Sequence, residues 1–126
     1  IITQRDALDV AWSIFTTRFG PDLPYATDMT NILHFIKLQE SITQHWSRVF
    51  GADVMFVSYE DLVADPRKEL TRVLKGLGEE WEEECLNFRE LKNFVTTASS
   101  AQVRRPLNTK SLGRSLPFHD YMNKKV

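Results

Sequence analysis

Two short apolar runs, separated by two stretches of helical character, constrain this chain more than anything else in it. Val54-Met55-Phe56-Val57 is continuously apolar, the pattern of a central strand in a parallel sheet. Ile1–Thr3 reads as another short buried strand, already under way where the sequence opens, so the chain reads as a fragment. Asp6 fits a helix N-cap with Asp9 in the acidic first turn, and the residues that follow (Ala7, Leu8, Val10, Ala11, Trp12, Ile14, Phe15) are apolar on nearly every face. That helix is expected to be well buried and to end near Phe19-Gly20. From Asp28 to Phe50, Ile32, Phe35, Ile36, Gln39, Ile42, Trp46, Val49 and Phe50 recur at spacings of three and four, the clearest helix in the chain, stopped by Gly51-Ala52.

After the Val54–Val57 strand, Tyr59–Val63 turns away, and Asp65-Pro66 supplies a cap and a first-position proline for a helix running to Gly78. Glu80–Phe88 reads as a short acidic helix, and periodicity is lost from Phe94 onward. Strand, helix, helix, strand, helix is an α/β order, with helices packed on a short parallel sheet.

The bulk numbers narrow the function classes. The chain has 126 residues, enough for one domain with a modest core. Its net charge of −1 gives no general pull on nucleic acid, and none is expected as a partner. One cysteine allows neither an internal disulfide nor a thiolate zinc cluster. No apolar run approaches the ~20 residues of a membrane helix. Charge is unevenly placed: acids outnumber bases from Glu60 to Glu84, and bases outnumber acids from Arg89 onward.

Chemistry that wants anions is therefore expected near the C-terminus. Thr97-Ala98-Ser99-Ser100-Ala101-Gln102-Val103-Arg104-Arg105-Pro106 and then Ser111-Leu112-Gly113-Arg114 hold hydroxyls, small residues and arginines, with little to build a core. Hydroxyls and backbone N–H groups donate at short range, and Arg offers a fork matched to phosphate oxygens. A second candidate anion site is Arg5, at the junction of strand and helix, with Ser13 two turns along. The competing reading pairs Arg5 with Asp9 on the surface and bonds Ser13 to its own helix carbonyl. Tyr59-Glu60-Asp61 lies at the same sheet edge, where a Tyr ring can lie against a base or ribose; alternatively it packs under the next helix. His34, His45, His119 and Cys85 have no ligand-like spacing, and no glycine-rich phosphate motif is present.

Taken in order, four segments resemble the C-terminal part of a sulfotransferase domain: Arg5–Ser13, Tyr59–Pro66, Leu77–Trp81, and Thr97–Pro106 with Ser111–Arg114. The likeness runs from Ile2 to about Tyr121 and is nearest to the tyrosylprotein sulfotransferases and the bacterial enzymes often fused to tetratricopeptide repeats. The resemblance implies a partial sulfotransferase domain over residues 1–126, the C-terminal fragment of a P-loop-like nucleotide-binding fold. It implies 3′-phosphoadenosine 5′-phosphosulfate as donor, no metal, and a hydroxyl acceptor, protein tyrosine among the candidates. It implies that Arg5 and Ser13 grip the 3′-phosphate, that Tyr59 contacts the nucleoside, and that Ser99 and Arg114 close over the nucleotide. The compartment would be the cytoplasm for a bacterial enzyme and the Golgi lumen for a tyrosylprotein-type one. Ala7 stands where the family usually has Pro, and Ser115 where it usually has Trp. In the family the phosphosulfate loop and the acceptor base lie upstream, so this chain alone is expected to turn over little or nothing. Two other classes fit the residues: a Mg²⁺-dependent phosphotransferase using Asp61 or Asp65, and a non-enzymatic interaction domain with a basic tail.

Overall fold

The computed structural model describes residues 1–17, 19–20, 22–87 and 109–125. The chain divides into two compact units, Ile1–Phe56 with Lys110–Val126, and Val57–Thr109. Its sheet has two short parallel strands, β1 (Ile2–Gln4) and β2 (Phe56–Ser58), in a mostly helical fold. Within the first unit, the Ile2 N–H donates to the Met55 carbonyl at 2.8 Å. This is the α/β arrangement expected, with the second strand beginning two residues later than expected and ending one later, at Ser58, and with the first strand half-buried to exposed where a buried one was expected.

In the first unit, α1 (Ala7–Thr16) is capped as expected: the Asp6 carboxylate accepts the Asp9 N–H at 2.8 Å. The helix stops three residues short of Phe19. The Thr16 and Thr17 hydroxyls turn back to the Trp12 and Ser13 carbonyls, at 2.8 and 2.6 Å, and Thr17 is extended. These side chains satisfy orphan carbonyls that would otherwise favour another turn. The expectation that α1 is buried all round is also corrected, since Phe15 is exposed and only Asp9 and Ala11 are fully buried.

The long helix α2 (Met29–Phe50) is capped by Asp28, which accepts the Asn31 N–H at 3.0 Å, and ends at Gly51 with φ 52°. A left-handed backbone there costs glycine nothing and most other residues about 1 kcal/mol or more. Only its N-terminal half is buried. Met29, Ile32, Leu33 and Ile36 join Ala11 and Met122 in one core cluster, and Tyr25 stacks on Phe35 at 4.4 Å. Farther along, Ile42, Trp46, Val49 and Phe50 are exposed, although they fall on the same repeat of three and four.

The C-terminal segment, where the sequence offers no periodicity, is ordered over its described part. Single turns at Thr109–Ser111 and Leu116–Phe118 lead into a last short helix, α5 (His119–Asn123). Met122 is completely buried and Phe118 stacks on Trp12 with ring centroids 3.8 Å apart. This segment is therefore part of the first unit's core rather than a basic tail.

In the second unit, Tyr59–Ala64 forms a helix, α3, where a turn was expected. Ser58 caps it by accepting the Asp61 N–H at 3.2 Å, and Glu60 and Asp61 sit where the helix dipole favours acids. The next helix, α4 (Pro66–Leu77), has the Asp65 cap, the first-position Pro66 and the left-handed Gly78 that the sequence called for. In place of an acidic helix from Glu80, a single turn spans Glu83–Leu86. The Trp81 indole donates to Glu83 at 3.2 Å, Arg67 pairs with the same carboxylate, and its guanidinium lies 5.0 Å from the Trp81 ring centroid. Among the described residues, no helix is long and apolar enough to cross a membrane.

Candidate anion site

Arg5 and the Ser111–Arg114 part of the C-terminal stretch, at opposite ends of the first unit's sequence, meet at the start of α1. Arg5 lies in the two-residue link between β1 and α1, and its guanidinium donates to the Ser111 carbonyl. It also stands 3.8 Å from the Asp9 carboxylate. Asp9, one turn along from Arg5, is only 3% exposed. One of its oxygens accepts the Gly113 N–H at 2.7 Å and the other accepts the Ser115 N–H at 2.8 Å. A single carboxylate thus takes the backbone donors on both sides of Arg114.

The electrostatics follow from that geometry. Burial pushes the Asp9 carboxyl up, but the Ser115 N–H, the Ser115 hydroxyl, the Gly113 N–H and the Arg5 charge together hold it below the usual carboxylate range. Asp9 is an anion at neutral pH, buried and accepting bonds in the way a buried charge requires. The Ser115 hydroxyl lies 2.9 Å from His119 Nε2. With that hydroxyl donating to Asp9, the fitting tautomer of His119 is the one protonated at Nε2.

Gly113 has φ 67°, the turn that brings the two N–H groups round to one acceptor. Arg114 follows it with an exposed side chain on a tethered backbone. Ser13 sits one turn beyond Asp9 on α1, on the same side of the helix, half-buried. Tyr59 opens α3 in the second unit, immediately after β2, and is half-buried. Ser99 falls outside the described residues, as do Arg104 and Arg105.

The structure therefore brings Arg5 and the Ser111–Arg114 loop together. The Arg5–Asp9 pairing considered from sequence does exist, but as part of the loop's attachment and not as a surface ion pair. Sequence reasoning missed Asp9, Ser115 and His119 as a connected set. One signal was available: Asp9 is an acid inside a helix otherwise apolar on nearly every face, and a buried charge must find partners.

A family model described as "Sulfotransferase family" matches residues 1–83. An uncharacterized protein of Aquifex aeolicus (strain VF5) is 26% identical over 122 residues, covering 94% of this chain. The chain spans only 16% of that relative's length. No solved structure matches.

Proposed function

The chain belongs to the sulfotransferase family, and on that premise we propose that it forms the 3′-phosphate and adenosine side of a donor site for 3′-phosphoadenosine 5′-phosphosulfate. In the whole protein, an acceptor hydroxyl oxygen attacks the sulfur and the bridging bond from sulfur to the 5′-phosphate oxygen breaks. Adenosine 3′,5′-bisphosphate leaves with the bond's electrons, and the acceptor proton passes to a base supplied by another part of the protein. Protein tyrosine is the proposed acceptor, with carbohydrate hydroxyls as the other hydroxyl class.

One observation carries this reading: the Arg5 guanidinium and the Ser111–Arg114 loop, more than a hundred residues apart, are bonded to each other at the entrance to α1. A ribose 3′-phosphate carries about two negative charges near neutral pH. Two arginines and a hydroxyl, supplied by Arg5, Arg114 and Ser13, are a receptor of matching chemistry. The contact from Arg5 to Ser111 orients the guanidinium, which has five N–H donors in all. On this reading Tyr59 lays its ring on the nucleoside and Ser99 donates a hydroxyl to the nucleotide.

The test is calorimetric titration of the chain with adenosine 3′,5′-bisphosphate and with adenosine 5′-phosphate, in the natural sequence and in Arg5→Ala. The bisphosphate is expected to bind more tightly, and the preference is expected to vanish in Arg5→Ala. Equal affinity for the two nucleotides by the folded chain would remove the proposal.

A further inference from the structure

The C-terminal loop could reach Arg5 by many routes; the structure uses a buried carboxylate. We propose that Asp9 is a positioning residue, whose carboxylate fixes the Gly113–Ser115 turn over the start of α1 and thereby sets Arg114 beside Arg5 as one receptor for a phosphate. This inference rests on the sulfotransferase reading of the site and names what assembles it.

The distances decide between two roles for Asp9. A carboxylate 3.8 Å from a guanidinium is an ion pair without a tight hydrogen bond, whereas the 2.7 and 2.8 Å contacts to Gly113 and Ser115 are of full charge-assisted length. Asp9 spends its oxygens on the loop backbone, and Arg5 spends a donor on the Ser111 carbonyl of the same loop. Asp9 therefore acts first on the loop and only second on the charge of Arg5. Because both tethered N–H groups flank Arg114, its Cα cannot shift without lengthening one of them, while its exposed side chain stays available to a ligand. Ser115 reinforces the arrangement: it is 1% exposed, and its hydroxyl is held by His119 of α5.

The experiment is a double-mutant cycle on the full chain, with adenosine 3′,5′-bisphosphate and adenosine 5′-phosphate as probes and Asp9→Asn, Arg114→Ala and the double variant as proteins. Asn keeps the volume but presents an amide N–H₂ to a backbone donor. Asp9→Asn is expected to weaken the bisphosphate about tenfold, the worth of one charge-assisted hydrogen bond, with the 5′-phosphate changed less than about twofold. Arg114→Ala is expected to add little on top of Asp9→Asn. Additive losses, or equal losses for both nucleotides, overturn the proposal, because a merely structural residue would give those results.

A ligand-free readout keeps the two readings separate. Trypsin cuts after Arg114, and the Arg114–Ser115 bond is expected to be cleaved at least about tenfold faster in Asp9→Asn. If the natural chain shows no preference for the 3′-phosphate, the sulfotransferase reading of the site falls, and the cleavage rate alone decides whether Asp9 fixes Arg114; an unchanged rate overturns it. Should Asp9→Asn fail to fold, Asp9→Glu keeps the charge and displaces the carboxylate by one methylene. A partial loss of 3′-phosphate preference is then expected, and full retention counts against the proposal.

Discussion

Removing the Asp9 carboxylate altogether should destabilise the first unit by about 3 kcal/mol. Asp9→Ala leaves the Gly113 and Ser115 N–H groups without their acceptor. A hydrogen bond to a charged group contributes ~1.5–3 kcal/mol, and two simple losses would sum to roughly 3–6 kcal/mol. The lower end applies, because Gly113 is half-buried and water can replace part of what is lost there, whereas Ser115 is 1% exposed. In urea, with a slope near ~2 kcal/mol/M, the midpoint should fall by about 1.5 M. The assay is urea unfolding at pH 7 in a Trp46→Phe, Trp81→Phe background, so that Trp12, stacked on Phe118, reports on the first unit alone. Acid gives a second check. The buried carboxyl is held below the usual carboxylate range by its N–H donors and Arg5, so Asp9's contribution is fully present above about pH 4 and fades as pH falls further. The gap between natural chain and variant should therefore hold from neutral pH to about pH 4 and close below it. A gap under about 0.5 kcal/mol at pH 7, or one that closes on raising the pH, would refute the reasoning.

Other outcomes follow from the same structure. Met122→Ala should cost about 2–5 kcal/mol in the same unfolding assay, because a completely buried side chain leaves a cavity between α1 and α2. Gly113→Ala should cost about 1–2 kcal/mol from its left-handed backbone; its new methyl meets Leu116 Cδ1 at 2.8 Å, but that exposed side chain can swing away. On the proposed nucleoside role, Tyr59→Ala should weaken adenosine 3′,5′-bisphosphate about tenfold in a calorimetric titration, and Tyr59→Phe should weaken it little, since ring stacking contributes ~0.5–1.5 kcal/mol without the hydroxyl.

What the sequence made legible is what local chemistry decides. Asp6 and Asp65 cap helices because a carboxylate within reach of N–H groups two or three residues ahead needs no tertiary context. Gly51 and Gly78 end helices for a reason equally local, their positive φ. The strand-and-helix order was readable too. The early end of α1 was not, because two hydroxyl-to-carbonyl bonds at Thr16 and Thr17 compete with helix continuation on nearly equal terms. Nor was α3, because Tyr59–Val63 read as a turn and its cap, Ser58, is the last residue of the strand before it.

At the candidate site, Arg5 and Ser13 stood out as polar residues at a strand–helix junction. The partner set around Asp9 did not, because its bonds join residues 104 and 106 positions apart and leave no periodic trace. His119, alone in sequence, gains its significance only from Ser115 one helical turn before it. The likeness to the sulfotransferases covered the site residues, and the family match over residues 1–83 supports it at the level of the family.

The most direct measurement is sulfuryl transfer by the whole protein that contains this chain, using 3′-phosphoadenosine 5′-[³⁵S]phosphosulfate with tyrosine-containing peptides and carbohydrates as acceptors, in natural and Arg5→Ala forms. Label is expected to appear on an acceptor hydroxyl. With Arg5 removed, the donor KM is expected to rise about a hundredfold, as the loss of a charge-assisted phosphate contact of ~3 kcal/mol would give, with the acceptor KM unchanged. Transfer with an unaltered donor KM in Arg5→Ala, or no transfer to any hydroxyl by the folded protein, would contradict the assignment of this chain to the 3′-phosphate side of the donor site.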